Sequence, residues 1–161
     1  RVGHALGADN PREARFASGV GMGAALVYAC VSSSSMLLMR EHIAEIYTQD
    51  LAVIAVAGSL LIYSAIFHFS DAIQVTAAGA LRGYQDTRIA MLITLFAYWA
   101  IGLPVGYCLG LSDLCGLPSG PVGLWQGLVV GLTCAALMLG IRLARSARRR
   151  IRAHQSAMLF T

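Results

Sequence analysis

Long apolar runs alternate with short polar breaks along this chain. Four runs lie between the charge clusters: Phe16–Met39, Leu51–Leu81, Ile89–Leu111 and Leu114–Ile141. Each exceeds the roughly 20 residues that cross a ~30 Å hydrocarbon core at ~1.5 Å per helical residue. The pattern predicts an all-α membrane protein, a transmembrane bundle of four helices over 16–39, 51–81, 89–111 and 120–141. Residues 1–15 read as the end of a preceding helix plus a loop, and 142–161 as a basic tail. The chain opens on Arg1, and "RVGHALG" has the look of a helix end, so a fragment of a longer protein is expected, with no signal peptide in view.

The breaks read as helix punctuation. In "ADNPREA", Asn10 can cap a helix beginning at Pro11, with Glu13 three residues after the cap. Residues 40–50, "REHIAEIYTQD", set Ile43, Ile46 and Tyr47 on one side, which suits a short interfacial helix. In "GYQDT", Asp86 or Thr87 can cap the third span. "CGLPSGPVG" opens the fourth span, and Pro104 inside the third predicts a kink.

Composition agrees with the pattern. Charged residues make up 12% of the chain and hydrophobic ones 57%, against about 25% charged in soluble domains. All twelve basic residues are arginines, and their placement sets an orientation. Arg1, Arg12, Arg15, Arg82, Arg88, Arg142, Arg145, Arg148, Arg149, Arg150 and Arg152 fall on one side of the span pattern, and Arg40 alone on the other. The positive-inside rule then places both ends in the cytoplasm, as expected in a bacterial inner membrane. "RLARSARRRIR" could mark a nucleic-acid footprint, but a basic run directly after a span reads as a topology signal, so no nucleic-acid partner is expected.

Glycines recur every fourth residue, at Gly19 and Gly23, at Gly102, Gly106 and Gly110, and at Gly123, Gly127 and Gly131. Such spacing predicts grooves where helices approach closely. The run Ser32–Ser35 can bond back to its own helix carbonyls. Cys30, Cys108, Cys115 and Cys134 form no CxxC pair and suggest no metal site, although a bridge between Cys108 and Cys115 is conceivable.

One residue breaks the second run. Asp71 lies eleven residues before Arg82, about 16 Å along a helix and so near the bilayer midplane. An acid there costs on the order of 2.5–3.5 kcal/mol on insertion scales, which calls for an offsetting use and an inward orientation. His68, Asp71 and Gln74 form a polar stripe at helical spacing, with Phe67 four residues before the acid. Desolvation favours a neutral carboxyl, whereas a cation or a protonated His68 favours the carboxylate. A group so balanced can exchange H⁺ or Na⁺, the chemistry of a coupling site in a secondary transporter. Gln74, Phe67, Tyr98 and Trp99 are candidates to line a cavity, the aromatics by stacking or cation–π contact with flat cations.

"RVGHALGADNPREAR", "IAEIYTQD", "DAIQVTAAGALRGYQDT" and "YWAIGLPVGY", in this order, resemble the multidrug and toxic compound extrusion (MATE) family in its NorM-like branch. The resemblance runs over essentially all 161 residues. It implies a twelve-helix transporter of two six-helix lobes, of which this chain supplies the end of the eighth helix and helices nine to twelve. It also implies export of drugs or organic cations, often aromatic, by antiport against H⁺ or Na⁺, with no other cofactor. Asp71 matches the acid of the tenth helix that takes part in cation binding. Relatives often carry a tyrosine where Phe67 stands and another polar residue at His68, which shifts the expectation slightly toward H⁺. The implied partners are membrane lipid, the exported small molecules and the N-terminal lobe of the same protein, which holds none of the residues seen here. Competing readings are a lipid-linked-sugar flippase of related architecture, a non-transporting channel or scaffold subunit, and a membrane enzyme using His68 and Asp71 as an acid–base pair. No nucleophile, metal set or cofactor motif accompanies that pair.

Overall fold

A computed structural model describes residues 1–111 and 120–159, apart from the side chains of Glu41 and Ala44. Every regular element among them is helical: α1 (Val2–Gly7), α2 (Pro11–Leu38), α3 (Arg40–Tyr47), α4 (Leu51–Gly83), α5 (Thr87–Phe96), a π-helical turn (Ala97–Gly102), α6 (Leu103–Gly110) and α7 (Gly120–Met158). Four helical stretches are long and apolar enough to cross a membrane: Pro11–Leu38, Leu51–Gly83, Thr87–Gly110 and Gly120–Met158. The central member is α4, which packs on α2 along one side and on α7 along the other.

Local chemistry starts α2 as the punctuation predicts. Asn10 Oδ1 accepts from the Glu13 N–H at 3.1 Å while its Nδ2 donates to Glu13 Oε2, with Pro11 as the first helical residue. Asp50 caps α4 by accepting from the Ala52 N–H at 2.9 Å. Asp86 behaves differently. It stands at the start of α5, yet its side chain makes no capping bond and turns toward α7.

The two turns at the arginine-rich end are local copies. After α1, Asp9 adopts φ 53°, and the Asn10 N–H reaches back to the Ala5 carbonyl. After α4, Gln85 adopts φ 59°, and the Asp86 N–H reaches back to the Leu81 carbonyl. Both are Schellman caps closed by a non-glycine residue in the left-handed region. The sequences "GADNPREA" and "GYQDTRIA" share Gly, an Asn or Asp at the N-cap position, Arg and Ala at matched offsets. Their alanines, Ala14 and Ala90, are both buried.

Small side chains dominate the interior. Ala65, Ala77, Ala97, Ala135 and Ala136 are buried, and the large side chains that are almost wholly enclosed are Leu81, Leu132 and Leu139. Large apolar residues such as Phe16, Tyr28, Val75 and Leu137 point outward instead. This inverted distribution fits a lipid solvent, which offers no hydrophobic drive between helices and leaves close packing to hold them.

The glycine rows of α6 and α7 supply that packing. A Cβ added at Gly127 would collide with the Gly106 backbone, and one at Gly131 would lie 2.7 Å from Gly102 Cα. Gly19 and Gly23 depart from expectation: a Cβ at either meets nothing within 4 Å, so that row is an open trough on α2. The serine run also departs from it, because Ser33 donates at 2.9 Å to the Ala65 carbonyl of α4 and so joins two helices.

Pro104 acts through its neighbours. It lacks an N–H to continue the helical ladder, and the backbone immediately before it widens into the π turn, where the Leu103 N–H reaches back to Tyr98 O. Residues 142–158 continue α7 without a break, so the helix is 39 residues long, about 58 Å. The start of the fourth apolar run, from Leu114, and Cys115 with its conceivable bridge lie outside the described residues.

Candidate functional site

Along α4, Tyr63, Phe67, Ser70 and Gln74 recur at spacings of four, three and four, which puts them on one helical stripe. Each has a partner on a neighbouring helix. Gln126 Nε2 donates to the Tyr63 hydroxyl at 2.8 Å. Phe67 meets Trp125 edge to face, with ring centroids 6.1 Å apart and planes at 77°. The hydroxyls of Ser70 and Thr133 lie 2.8 Å apart. The Tyr98 hydroxyl donates to Gln74 Oε1 at 2.7 Å.

The last bond joins two of the candidate residues. Gln74 is only 9% exposed, so its carbonyl oxygen depends on the phenol for a partner. The π turn makes the bond possible, since it holds Tyr98 and shifts the side chains after Phe96 relative to a regular helix. Pro104, six residues further on, is the covalent reason for that irregularity.

Asp71 lies on the flank of the same stripe, part-buried, and close enough to the Tyr98 phenol to act on it electrostatically. Among the described residues its carboxylate forms no ion pair, and the Arg142–Asp86 and His154–Asp9 pairs lie at the arginine-rich end. His68 is also part-buried, one turn before Asp71, and the two are not paired within salt-bridge distance. The acid therefore stands within α4 near the Tyr98 phenol, whose hydroxyl is bonded to Gln74. Oxygen atoms of this kind suit a proton or a hard cation.

The remaining candidates separate. Phe67 is engaged with Trp125, so it braces α4 against α7. Trp99 is 68% exposed, and together with Tyr98 it lines an open groove of about 530 Å³ between α4 and α5. Arg82 and Arg88 close the other end of that groove. Thus one aromatic of the Tyr98–Trp99 pair reaches the polar stripe while the next faces outward.

Sequence reasoning did not anticipate Tyr63, Trp125, Gln126 or Thr133. A signal was present, because Gln126 and Thr133 are polar residues inside a transmembrane run. Nothing in the linear order, however, pairs them with residues of α4 that lie 63 positions earlier. Asp86 is the other omission. Arg142 Nε donates to its Oδ2 at 2.6 Å and Ser146 Oγ donates to the same oxygen at 3.1 Å.

Comparison with known proteins supports the same architecture. The MatE family model matches residues 1–108. The chain is 72% identical over 155 residues to multidrug resistance protein PmpM of Pseudomonas aeruginosa, covering 96% of this chain and 32% of that protein. It is 48% identical over 143 residues to multidrug resistance protein NorM of Photobacterium profundum, covering 89% and 31%. The chain thus spans about a third of the length of these curated relatives. In fold it resembles a crystal structure of the eukaryotic MATE transporter AtDTX14, with a TM-score of 0.79 and 24% identity over 96% of this chain and 35% of that one.

Proposed function

The chain belongs to the MatE family, and from that premise we propose that it forms part of a secondary antiporter that exports cationic or aromatic compounds against H⁺ or Na⁺. Asp71 is the coupling group in this reading. The observation that carries it is an acid within α4, near the Tyr98–Gln74 hydrogen bond, on a helix whose Tyr63, Ser70 and Gln74 side chains are tied to α7 or the π turn. The acid and His68, by contrast, enter no ion pair among the described residues.

Mechanistically, Asp71 gives up its proton or cation as drug is loaded and takes another from the opposite side. One charge crossing 100 mV supplies about 2.3 kcal/mol, enough to drive such an exchange uphill. Gln74 and Tyr98 would stabilise the charged carboxylate or offer oxygens to Na⁺. The arginine-rich end faces the cytoplasm of a bacterial inner membrane, which accounts for the concentration of arginines beyond α4 and α7.

Replacement of Asp71 by Asn in the full-length protein tests this reading. Ethidium efflux from cells should stop, while the protein still reaches the membrane at its normal level. Efflux driven by a pH gradient or by added Na⁺ at the wild-type rate would refute the coupling role. Loss of lipid-linked-sugar transfer with drug efflux intact would favour a flippase instead.

A further inference from the structure

We propose that the groove between the start of α2 and the far end of α7 holds an anionic phospholipid, its headgroup on Arg12 and Arg15 and an acyl chain along α2. The inference rests on the reading of the chain as membrane-embedded but not on any transport mechanism. The groove is a shallow, open one of about 610 Å³, lined by Arg12, Arg15, Phe16, Gly19, Val20 and Ile151. Its chemistry is therefore divided, cationic at one end and apolar at the other.

The order of those residues along α2 follows a lipid. Arg12 and Arg15 occupy the first turns, where the helix leaves the arginine-rich end. Phe16, Gly19, Val20, Gly23 and Val27 continue the same helical face toward the middle of the span. From residue 16 to residue 27 the helix rises about 16 Å, comparable to the depth of one hydrocarbon leaflet in a ~30 Å core. Phe16, Val20 and Val27 are all exposed, so they form walls. Gly19 and Gly23 lie between them with open space at their Cβ positions, so they form a floor. A glycine row whose Cβ positions meet nothing within 4 Å among the described residues leaves room for an acyl chain against the backbone.

Electrostatics favours an anion at the head of that slot. Cationic side chains at a helix N-terminus oppose the macrodipole, and an anion there relieves both the dipole and the arginines. The acids nearby do not fill the role. Glu13 is held by Asn10, and Asp9 is paired at 3.4 Å with His154. Ile151 brings the continued α7 to the other side of the groove. The guanidinium groups of Arg12 and Arg15 line the groove at headgroup depth, where each is worth about 1 kcal/mol toward an anionic surface, or roughly fivefold in affinity.

Native mass spectrometry of the full-length protein in detergent, with phosphatidylglycerol or phosphatidylethanolamine added, tests the site. The wild type should retain phosphatidylglycerol preferentially. Arg12→Ala with Arg15→Ala should weaken that retention roughly thirtyfold, at about fivefold per arginine, and Arg12→Lys with Arg15→Lys should preserve most of it. Gly19→Leu with Gly23→Leu should also displace the lipid while leaving the charge unchanged, which guards against an arginine variant that fails to fold. Equal retention of the two lipids by the wild type, or phosphatidylglycerol retention unaltered in both the alanine and the leucine variants, would overturn the proposal. So would a full-length protein that retains no phosphatidylglycerol, as when its remaining helices cover the trough.

Discussion

Arg142 and Asp86 lie 56 positions apart in the chain, and their side chains meet at 2.6 Å. The bond ties the turn between α4 and α5 to the point where α7 leaves the apolar bundle. Ser146 donates to the same carboxylate oxygen one helical turn later. Asp86 is thus a cross-bundle anchor in the position where the sequence suggests a helix cap.

This arrangement predicts acid sensitivity of a definite sign. The Arg142 hydrogen bond, with help from Ser146 and the charge of Arg149, holds the Asp86 carboxyl below its ordinary value, against the opposing effect of burial. A carboxyl lowered in this way contributes stability above its unfolded value, about 4 for aspartate, and loses it as pH falls through the lowered one. Asp86→Asn should destabilise the detergent-solubilised protein by about 1–2 kcal/mol at neutral pH, since the bond is charged but partly exposed. The gap from wild type should close as pH drops well below 4. A gap that is constant across thermal melts from neutral to acid pH would contradict the anchor.

Gly127→Ala should be far more damaging than Gly19→Ala. The added methyl at Gly127 meets the Gly106 backbone, which cannot rotate away, whereas at Gly19 it meets open space. Overpacking of this kind costs about 1–3 kcal/mol or more. Size-exclusion profiles and melting temperatures of the two variants provide the comparison, and equal behaviour would argue against close α6–α7 contact.

The Tyr98–Gln74 bond predicts a non-additive pair. Tyr98→Phe leaves the buried Gln74 oxygen without its donor, at a cost of about 1–3 kcal/mol. Once Gln74→Leu has removed that oxygen, the same tyrosine substitution should cost much less. A double-mutant cycle on thermal stability, alongside ethidium efflux, measures the coupling. Additive losses would mean that the bond carries no energy of its own.

The Asp9–His154 contact serves as a control. It spans 3.4 Å, and the Asp9 side chain is 89% exposed. Exposed pairs contribute a median of about 0–1 kcal/mol. Asp9→Asn should therefore leave melting temperature and efflux near wild type, in contrast to Asp86→Asn.

Hydrophobic run length, arginine placement and cap chemistry are properties of consecutive residues, and by themselves they determined four membrane-length helices, their boundaries near Asn10 and Asp50, and the isolation of Asp71 within an apolar run. Family resemblance was likewise legible in contiguous phrases. The partners of α4 were not, because Tyr63, Phe67, Ser70 and Gln74 are matched to α7 and the π turn by how helices rotate against each other. That rotation depends on where backbones can approach, and only the folded chain shows that Gly102, Gly106, Gly127 and Gly131 meet while Gly19 and Gly23 stay open. The same holds for Asp86: one carboxylate can cap a helix or bind a guanidinium, and the tertiary structure chose by bringing Arg142 within reach.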